Sequence, residues 1–254
     1  MNQRYQLISA LLFWLTCVPV TAAEFTTVVR TVSESVVAVG IKTPIYSNVS
    51  DILGTGVVVG DGQYVVTNAH VIDRTLDTDI VQFFTVIHGR KQRMHELKAE
   101  VIGVDNLHDL ALLKISTPLT PISMAEDKLL LPGEEVAMTG FPVGSVLGLF
   151  HTTHKGIISA ITIDVLPGKS LSELNYDSLG RLENAFEIYQ LDVTAFPGNS
   201  GSAVYKADTG DLIGIINKVL VSNGKESVLS SPSGISYAIP VSFVRLLLEK
   251  HVEE

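Results

Sequence analysis

A short segment of small residues, Pro197-Gly198-Asn199-Ser200-Gly201-Ser202, contains the hydroxyl best placed for chemistry in this sequence. Glycines near Ser200 on both sides permit a tight turn that exposes the hydroxyl and aims backbone N–H groups at a carbonyl attacked by it. The same residues are also ordinary turn chemistry, so a purely structural turn is the alternative. Residues upstream bear on this choice.

Two candidate partners for a serine nucleophile precede it in the chain. His70 directly follows a predicted strand, and Asp109 opens another one. A serine hydroxyl needs a base to take its proton and a carboxylate to orient the imidazole, so the two residues and Ser200 form a candidate triad. The alternatives are a buried structural role for His70 and a turn role for Asp109, with Asp105 as the other available carboxylate.

Segments rich in β-branched residues and separated by Gly, Asp, Asn and Pro predict the strands that position these side chains. They are residues 36–41, 54–59, 64–67, 80–87, 99–104, 111–115, 136–140, 156–163, 185–192, 202–205, 212–221 and 235–239. Many short strands indicate an all-β barrel or sandwich, here in two sets that separate near residues 118–132. Apolar spacing predicts helices over residues 25–37 and 241–252. Residues 60–63 predict a hairpin turn, and residues 164–184 predict a long loop.

Composition indicates a globular protein without a nucleic-acid surface. The 254 residues are 46% hydrophobic and 18% charged, which suffices for one large core or two small ones. The formal net charge of −9 argues against binding to nucleic acids.

The N-terminal residues have the pattern of a cleaved signal peptide. Arg4 precedes an apolar run, residues 7–15, that is too short to span a membrane, and residues 21–23 predict cleavage before Glu24. A membrane anchor is the disfavoured alternative. The single cysteine, Cys17, lies in this segment, so the mature protein is expected to contain no disulfide and no thiol nucleophile. We therefore expect a periplasmic or secreted protein that is not attached to a membrane.

The ordered motifs resemble the HtrA/Deg branch of the trypsin-like serine proteases over residues 36–244. The resemblance rests on Gly54-Thr55-Gly56-Val57-Val58, Tyr64 to Val71, Asp105 to Ile115, Gly140-Phe141-Pro142, Gly156-Ile157-Ile158-Ser159, Gly198-Asn199-Ser200-Gly201, Gly214-Ile215 and Tyr237-Ala238-Ile239-Pro240. It implies an all-β fold of two perpendicular six-stranded barrels with a C-terminal helix. With the signal peptide in residues 1–23, it implies a protease domain in 24–254, with the first barrel in 24–118 and the second in 119–254.

The resemblance implies a serine endopeptidase that cleaves polypeptides through an acyl-enzyme. His70 is then the general base, Asp109 the orienting carboxylate and Ser200 the nucleophile. The N–H groups of Gly198 and Ser200 form the oxyanion hole. The family spacing favours Asp109 over Asp105, because Leu-Ala-Leu-Leu follows Asp109 at once.

The remaining histidines near the motifs are expected to have no catalytic role. His108 is interpreted as a neighbour of Asp109 without a duty of its own. His151 and His154 have a spacing that can bind metal on a helix, but they lie in a predicted loop and strand without a nearby carboxylate. The proposed chemistry requires no metal and no organic cofactor.

The resemblance also implies the substrate-binding positions, which are Thr194, Ala195, Ile215, Ile216, Asn217 and Lys218. Because Thr194 is not acidic, cleavage after Arg or Lys is disfavoured, and a mostly apolar pocket favours small or medium aliphatic P1 residues. Lys218 either attracts an acidic P1 residue or points to solvent. The substrate backbone is expected to add as a strand beside residues 215–217.

The sequence departs from the family pattern in two places. Ser202 stands where the family usually has a second glycine, and it would be strained if that position requires a positive φ. The chain stops at Glu254, so no PDZ domain is expected. These departures leave a weak or inactive protease-fold binding protein as the alternative function. A homo-oligomer or a regulator acting on the loop at residues 164–184 is the expected partner, and Phe25 is expected to pack on its own barrel.

Overall fold

The computed structural model describes residues 24–90, 93–142, 149–164, 185–217 and 234–252. The predicted signal peptide, nearly all of the predicted loop at residues 164–184, and Lys218 lie outside the described residues.

Six antiparallel strands of the N-terminal half close into the first barrel. They are β1 (Val36–Lys42), β2 (Asp51–Val59), β3 (Tyr64–Thr67), β4 (Phe83–Arg90), β5 (Arg93–Asp105) and β6 (Leu110–Ile115). Neighbours around the barrel follow the order β1-β2-β3-β6-β5-β4, and β4 pairs with β1 to close it. A single helical turn, α2 (Ala69–Ile72), follows β3 directly.

The C-terminal half repeats this architecture. Its strands are β7 (Glu135–Gly140), β8 (Thr152–Ile163), β9 (Glu187–Leu191), β10 (Ala203–Lys206), β11 (Leu212–Ile216) and β12 (Ser236–Pro240). They close in the order β10-β11-β12-β9-β8-β7, again with antiparallel pairs throughout. The predicted all-β class of two six-stranded barrels is therefore confirmed.

Two helices flank the barrels, α1 (Phe25–Val32) and α3 (Val241–His251). The N-terminal helix is shorter than predicted because the chain turns at Ser33, whose hydroxyl donates to Val29 O at 2.6 Å, and the next valines are buried in β1. Phe25 packs against an apolar cluster to which both barrels contribute, and Lys155 Nζ of β8 lies 5.3 Å from its ring centre, so its contacts are not confined to its own barrel as predicted. The C-terminal helix buries Val244 and Leu247 on one face, as its apolar spacing predicts.

The predicted and observed strand ends differ most where apolar and polar residues do not alternate regularly. β5 begins at Arg93 rather than at residue 99, because its first half pairs with β4, and two apolar residues among its charged ones, Met94 and Leu97, pack against the apolar clusters. The predicted hairpin at residues 60–63 is present, with Gly60 and Gly62 at φ values of 64° and 93°.

Apolar side chains form one cluster inside each barrel and a third cluster between the barrels. The central cluster joins Val36 of β1, Tyr205 of β10 and Val244 of α3. Because both barrels and both helices contribute to it, the two barrels are held in one arrangement, and side chains at their junction are fixed relative to each other.

Candidate active site

The structure brings His70 and Asp109 together on the first barrel. His70 lies in the turn α2 after β3, and Asp109 directly precedes β6, the strand that pairs with β3. His70 Nδ1 lies 2.6 Å from Asp109 Oδ2, and the His70 backbone N–H donates to Asp109 Oδ1 at 3.0 Å. An ionised carboxylate only accepts hydrogen bonds, so Nδ1 carries the proton and Nε2 is left as an acceptor.

Asp109 is held in an unusual backbone conformation. Among the described residues it is the only non-glycine residue with a left-handed φ, at 51°. Its carbonyl accepts from Ala69 N and from Asn68 Nδ2, both at 3.1 Å. Aspartate tolerates this region better than most residues, and the hydrogen bonds on both its carbonyl and its carboxylate hold it there.

Ser200 meets this pair from the second barrel. It lies in the loop that leads into β10, and its Oγ is 2.9 Å from His70 Nε2. Because Nε2 is the acceptor, the Ser200 hydroxyl donates to it. The three predicted residues thus form one continuous hydrogen-bonded chain, Asp109–His70–Ser200, across the junction of the barrels.

A tight turn precedes Ser200. Asn199 N donates to Phe196 O at 3.0 Å, and Gly198 has a φ of 95°, which with Pro197 before it is the pattern of a type II turn. Within the described parts of the chain, the N–H groups of Gly198 and Ser200 donate to no acceptor. Both are therefore available to an oxygen atom of a ligand.

Ser202 has ordinary backbone geometry, so the strain considered for this position is absent. Its side chain is fully buried, and its Oγ has no hydrogen-bond partner among the described residues. Room for the hydroxyl exists because Gly140 has no side chain, since a methyl group there would overlap Ser202 Oγ. Asn199, also buried, has both its side-chain amide atoms without a described partner at the same place.

The alternative carboxylate, Asp105, has a different partner. Its Oδ2 lies 2.6 Å from His108 Nδ1, and the His108 ring stacks on Phe243 of α3 at 3.9 Å and meets Phe186 edge-on at 4.5 Å. Burial alone would raise the pKa of Asp105, but hydrogen bonds from the His108 ring and backbone and from Leu107 N–H hold that pKa below its usual value. Asp105 therefore does not serve His70.

The predicted substrate-binding residues that the structure describes are largely buried, and two of them also have paired backbones. Ala195 and Ile216 are buried in the apolar cluster of the second barrel, and Thr194 lies half-buried between two members of that cluster. The backbone of Ile216 pairs with the loop at Gly201 and Ser202, at 3.1 and 2.9 Å, and Ile215 faces both β10 and β12.

Strand addition beside Ile215 and Ile216 is therefore ruled out, which corrects that prediction. A strand with a neighbour on each side has no free edge, so an added backbone can begin no earlier than Asn217.

The two histidines with possible metal spacing have separate surroundings. His151 Nε2 lies 2.9 Å from Val36 O. The His154 ring is 6.1 Å from that of Phe196, and burial lowers its pKa. Within the described residues no group of three potential His, Cys, Asp or Glu ligands occurs.

Paired barrels with these three side chains at their junction define the class of the protein. It belongs to the trypsin-like peptidase family, because the model of the trypsin-like peptidase domain matches residues 54–215. None of the helices in the described ranges is long and apolar enough to span a membrane.

Individual relatives confirm the resemblance to the HtrA/Deg branch. The chain is 34% identical over 189 residues to a probable periplasmic serine endoprotease DegP-like of Marinomonas sp. (strain MWYL1), covering 74% of this chain and 33% of that protein. It is 33% identical over 205 residues to the periplasmic serine endoprotease DegP of Escherichia coli (strain K12), covering 79% and 36%. The crystal structure of the serine endoprotease from Yersinia pestis superposes with a TM-score of 0.64 at 29% identity, covering 91% of this chain and 68% of that one. The chain thus spans about a third of the length of the curated relatives that it matches.

Proposed function

We propose that this domain is a serine endopeptidase in which Ser200 is the nucleophile, His70 the general base and Asp109 the orienting carboxylate. The observation that supports it is the continuous chain of hydrogen bonds at 2.6 and 2.9 Å, which ends at a hydroxyl beside two unoccupied N–H groups. This arrangement has the components of covalent acyl transfer, namely a nucleophile, a base, an orienting group and donors for an oxyanion.

The tautomer of His70, with its proton on Nδ1, leaves Nε2 able to act as the base in acylation. Nε2 accepts the Ser200 proton while Oγ attacks the peptide carbonyl, and Asp109 stabilises the imidazolium that forms. The carbonyl oxygen becomes an oxyanion and accepts from the N–H groups of Gly198 and Ser200. His70 then gives its proton to the leaving amine, and the C–N bond breaks to leave an acyl-enzyme.

Deacylation repeats these steps with water. His70 takes a proton from water, the hydroxide attacks the acyl carbon, and the oxyanion again forms at the same donors. Ser200 leaves with the proton from His70, which restores the free enzyme and releases the second peptide product.

Polypeptides are the proposed substrates, and the periplasm is the proposed compartment. The relatives are named periplasmic serine endoproteases, and residues 1–23 have the pattern of a signal peptide. Buried Ala195 and Ile216 beside half-buried Thr194 support a pocket for small or medium aliphatic P1 residues. An acidic P1 residue held by Lys218 is the second possibility for specificity.

Labelling and turnover together test the proposed function. Phenylmethylsulfonyl fluoride should modify purified protein at Ser200, as located by peptide mapping, and casein turnover should disappear in Ser200→Ala. Ser123→Ala is the matched control, because Ser123 is exposed and lies in the connection between the barrels. Absence of an adduct on Ser200, or equal turnover by wild type and Ser200→Ala, would instead support a protease-fold binding protein, which the relatives named as serine endoproteases do not favour.

A further inference from the structure

Thr55, a residue of β2 in the first barrel, contacts the loop of residues 197–202 in the second barrel through both its backbone and its side chain. This loop carries Ser200 and is called the nucleophile loop below. The N–H of Thr55 donates to Ser200 O at 2.9 Å, and its Oγ1 donates to Gly198 O at 2.8 Å. These are the carbonyls of the same two residues whose N–H groups have no described acceptor. Thr55 is fully buried, so water does not compete for these bonds.

One further hydrogen bond fixes the direction of the Thr55 hydroxyl, and another holds the Thr55 backbone carbonyl. Phe141 N donates to Thr55 Oγ1 at 3.0 Å, and Thr67 Oγ1 donates to Thr55 O at 2.7 Å. A hydroxyl has a single proton, and the Phe141 N–H occupies an acceptor site of the oxygen. The proton therefore points to Gly198 O, and the side chain has one arrangement that satisfies all its bonds.

Thr55 thereby locks two alternate peptide groups of the loop. The Gly198–Asn199 peptide is held at its carbonyl by Thr55 and at its N–H by Phe196 O, at 2.8 and 3.0 Å. The Ser200–Gly201 peptide is held at its carbonyl by Thr55 N and at its N–H by Ile216 O, at 2.9 and 3.1 Å.

The peptides before each of these groups supply the N–H groups of Gly198 and Ser200. Of these, the Asn199–Ser200 peptide is anchored by its carbonyl, which accepts from Ser202 N at 2.9 Å. With the Gly198–Asn199 peptide fixed between them and the Ser200–Gly201 peptide fixed after them, the two free N–H groups have little freedom to rotate away from a common point.

We propose that Thr55 is a positioning residue for the oxyanion site, and that its hydroxyl holds the Gly198–Asn199 peptide in the orientation that leaves Gly198 N–H free. The inference rests on the proposed function. Without the hydroxyl, Gly198 O loses its donor in a buried place, and rotation of this peptide towards another partner is no longer opposed. Thr55 touches no reacting atom, so its effect on the reaction is indirect.

Replacement of the hydroxyl by a methyl group tests the inference. In Thr55→Val we expect kcat on a peptide substrate to fall about 100-fold, since loss or misplacement of an oxyanion donor has effects of this order. KM should stay within about threefold, because a ground-state carbonyl depends less on these donors. Affinity for a peptidyl boronate, which forms a tetrahedral adduct, should fall in parallel with kcat. The pH profile of kcat should keep its shape, because the pair of His70 and Asp109 is not altered.

Two further variants separate positioning from general loss of structure. Thr55→Ser keeps the hydroxyl and should retain kcat within about threefold. Thr85→Val removes another fully buried threonine hydroxyl, one that donates to Ser50 Oγ at 3.0 Å in the first barrel, and should leave kcat unchanged. If Thr55→Val does not fold, Thr55→Ala and Thr55→Ser carry the same comparison, since they differ only by the hydroxyl.

The results distinguish this inference from the proposed function. A fall in kcat of less than tenfold in the variant without the hydroxyl overturns the positioning role. So does an equal loss in Thr55→Ser or in Thr85→Val. Failure of the proposed function shows earlier, as wild-type protein that neither turns over casein nor accepts phenylmethylsulfonyl fluoride at Ser200, and the inference then falls with it.

Discussion

Gly140 and Ser202 lie against each other beneath the nucleophile loop, so substitutions at the two positions should affect stability in a coupled way. A methyl group at Gly140 would overlap Ser202 Oγ and lie 2.9 Å from Ser202 Cβ and 3.2 Å from Asn199 Oδ1. Ser202 is fully buried directly before β10, and Asn199 belongs to the turn before Ser200, so neither can move without moving the loop. We therefore expect Gly140→Ala to lower the free energy of unfolding by about 2–3 kcal/mol, the upper part of the range for overpacked cores.

Ser202→Gly should be nearly neutral by itself. It removes a buried hydroxyl without a described partner, which relieves a penalty of about 1–3 kcal/mol. It also adds a glycine to the unfolded chain and removes buried atoms, which offsets much of that gain at about 0.5–1 kcal/mol for the backbone alone. The net change should stay within about 1 kcal/mol of wild type.

The double variant decides whether the contact is real. With Ser202 replaced by glycine, the new methyl group loses its two nearest contacts, Ser202 Oγ and Cβ, and the next atom is Asn199 Oδ1 at 3.2 Å. Gly140→Ala should then cost about 1 kcal/mol or less, which is a coupling of about 1–2 kcal/mol in the cycle.

Urea unfolding of the four proteins, with kcat measured alongside, gives these values. Gly234→Ala is the control, because among the described residues no atom beyond its chain neighbours lies within 4 Å of a methyl group there. Coupling below about 0.5 kcal/mol would refute the reasoning, since contacting residues are not additive and distant ones are.

Four further predictions concern single residues. Asp109→Asn should lower kcat by about 10⁴-fold through the wrong imidazole tautomer, whereas Asp105→Asn should leave kcat within about threefold because Asp105 serves His108; steady-state kinetics on one peptide compares them. Because the pKa of Asp105 is lowered in the folded protein, its stabilisation is present above the unfolded pKa near 3.8 and is lost as pH falls through the folded value. The free energies of unfolding of wild type and Asp105→Asn should therefore converge under acid conditions, as followed by thermal unfolding. Burial lowers the pKa of His154 below 6.5, so the unfolded chain binds the proton first and the free energy of unfolding should decline as pH falls from 7 towards 5. His154→Gln should reduce this dependence of stability on pH, as measured by urea unfolding. An unchanged dependence would contradict the role given to His154. Gly201→Ala should abolish both folding yield and activity, because Gly201 has a φ of 84° and an added methyl group would overlap Thr55 O; normal expression and turnover would show that the loop adapts.

The candidate site residues can be proposed from local sequence motifs. Asp109 was preferred to Asp105 because an apolar strand follows it directly, and the structure places Asp109 beside His70 and Asp105 beside His108. Strand β3 was predicted with its correct ends, since four consecutive apolar or β-branched residues lie between a glycine-rich turn and the polar residue Asn68. Signals of this kind depend only on neighbours in the chain.

Contacts between segments that are distant in the chain could not be predicted from sequence patterns. Ile215 was expected to border a free edge, but β10 and β12 lie on its two sides, and strand neighbours depend on the closure of the barrel. Ser202 raised doubt as a departure from glycine, yet the space for its side chain comes from Gly140, 62 positions earlier in the numbering.

By itself, the sequence determined the class of the fold, the three candidate catalytic residues and the small-residue loop around Ser200, because strand periodicity, turn residues and motif order are local properties. Only the tertiary structure decided that Thr55, from the other barrel, holds the carbonyls of Gly198 and Ser200. Threonine is an ordinary residue in a β-strand, and the motif Gly54-Thr55-Gly56 gives no sign of which distant carbonyl its hydroxyl meets. Its importance arises because closure of two barrels brings one buried hydroxyl against one peptide group, and a buried polar group must find its partner wherever the fold places it.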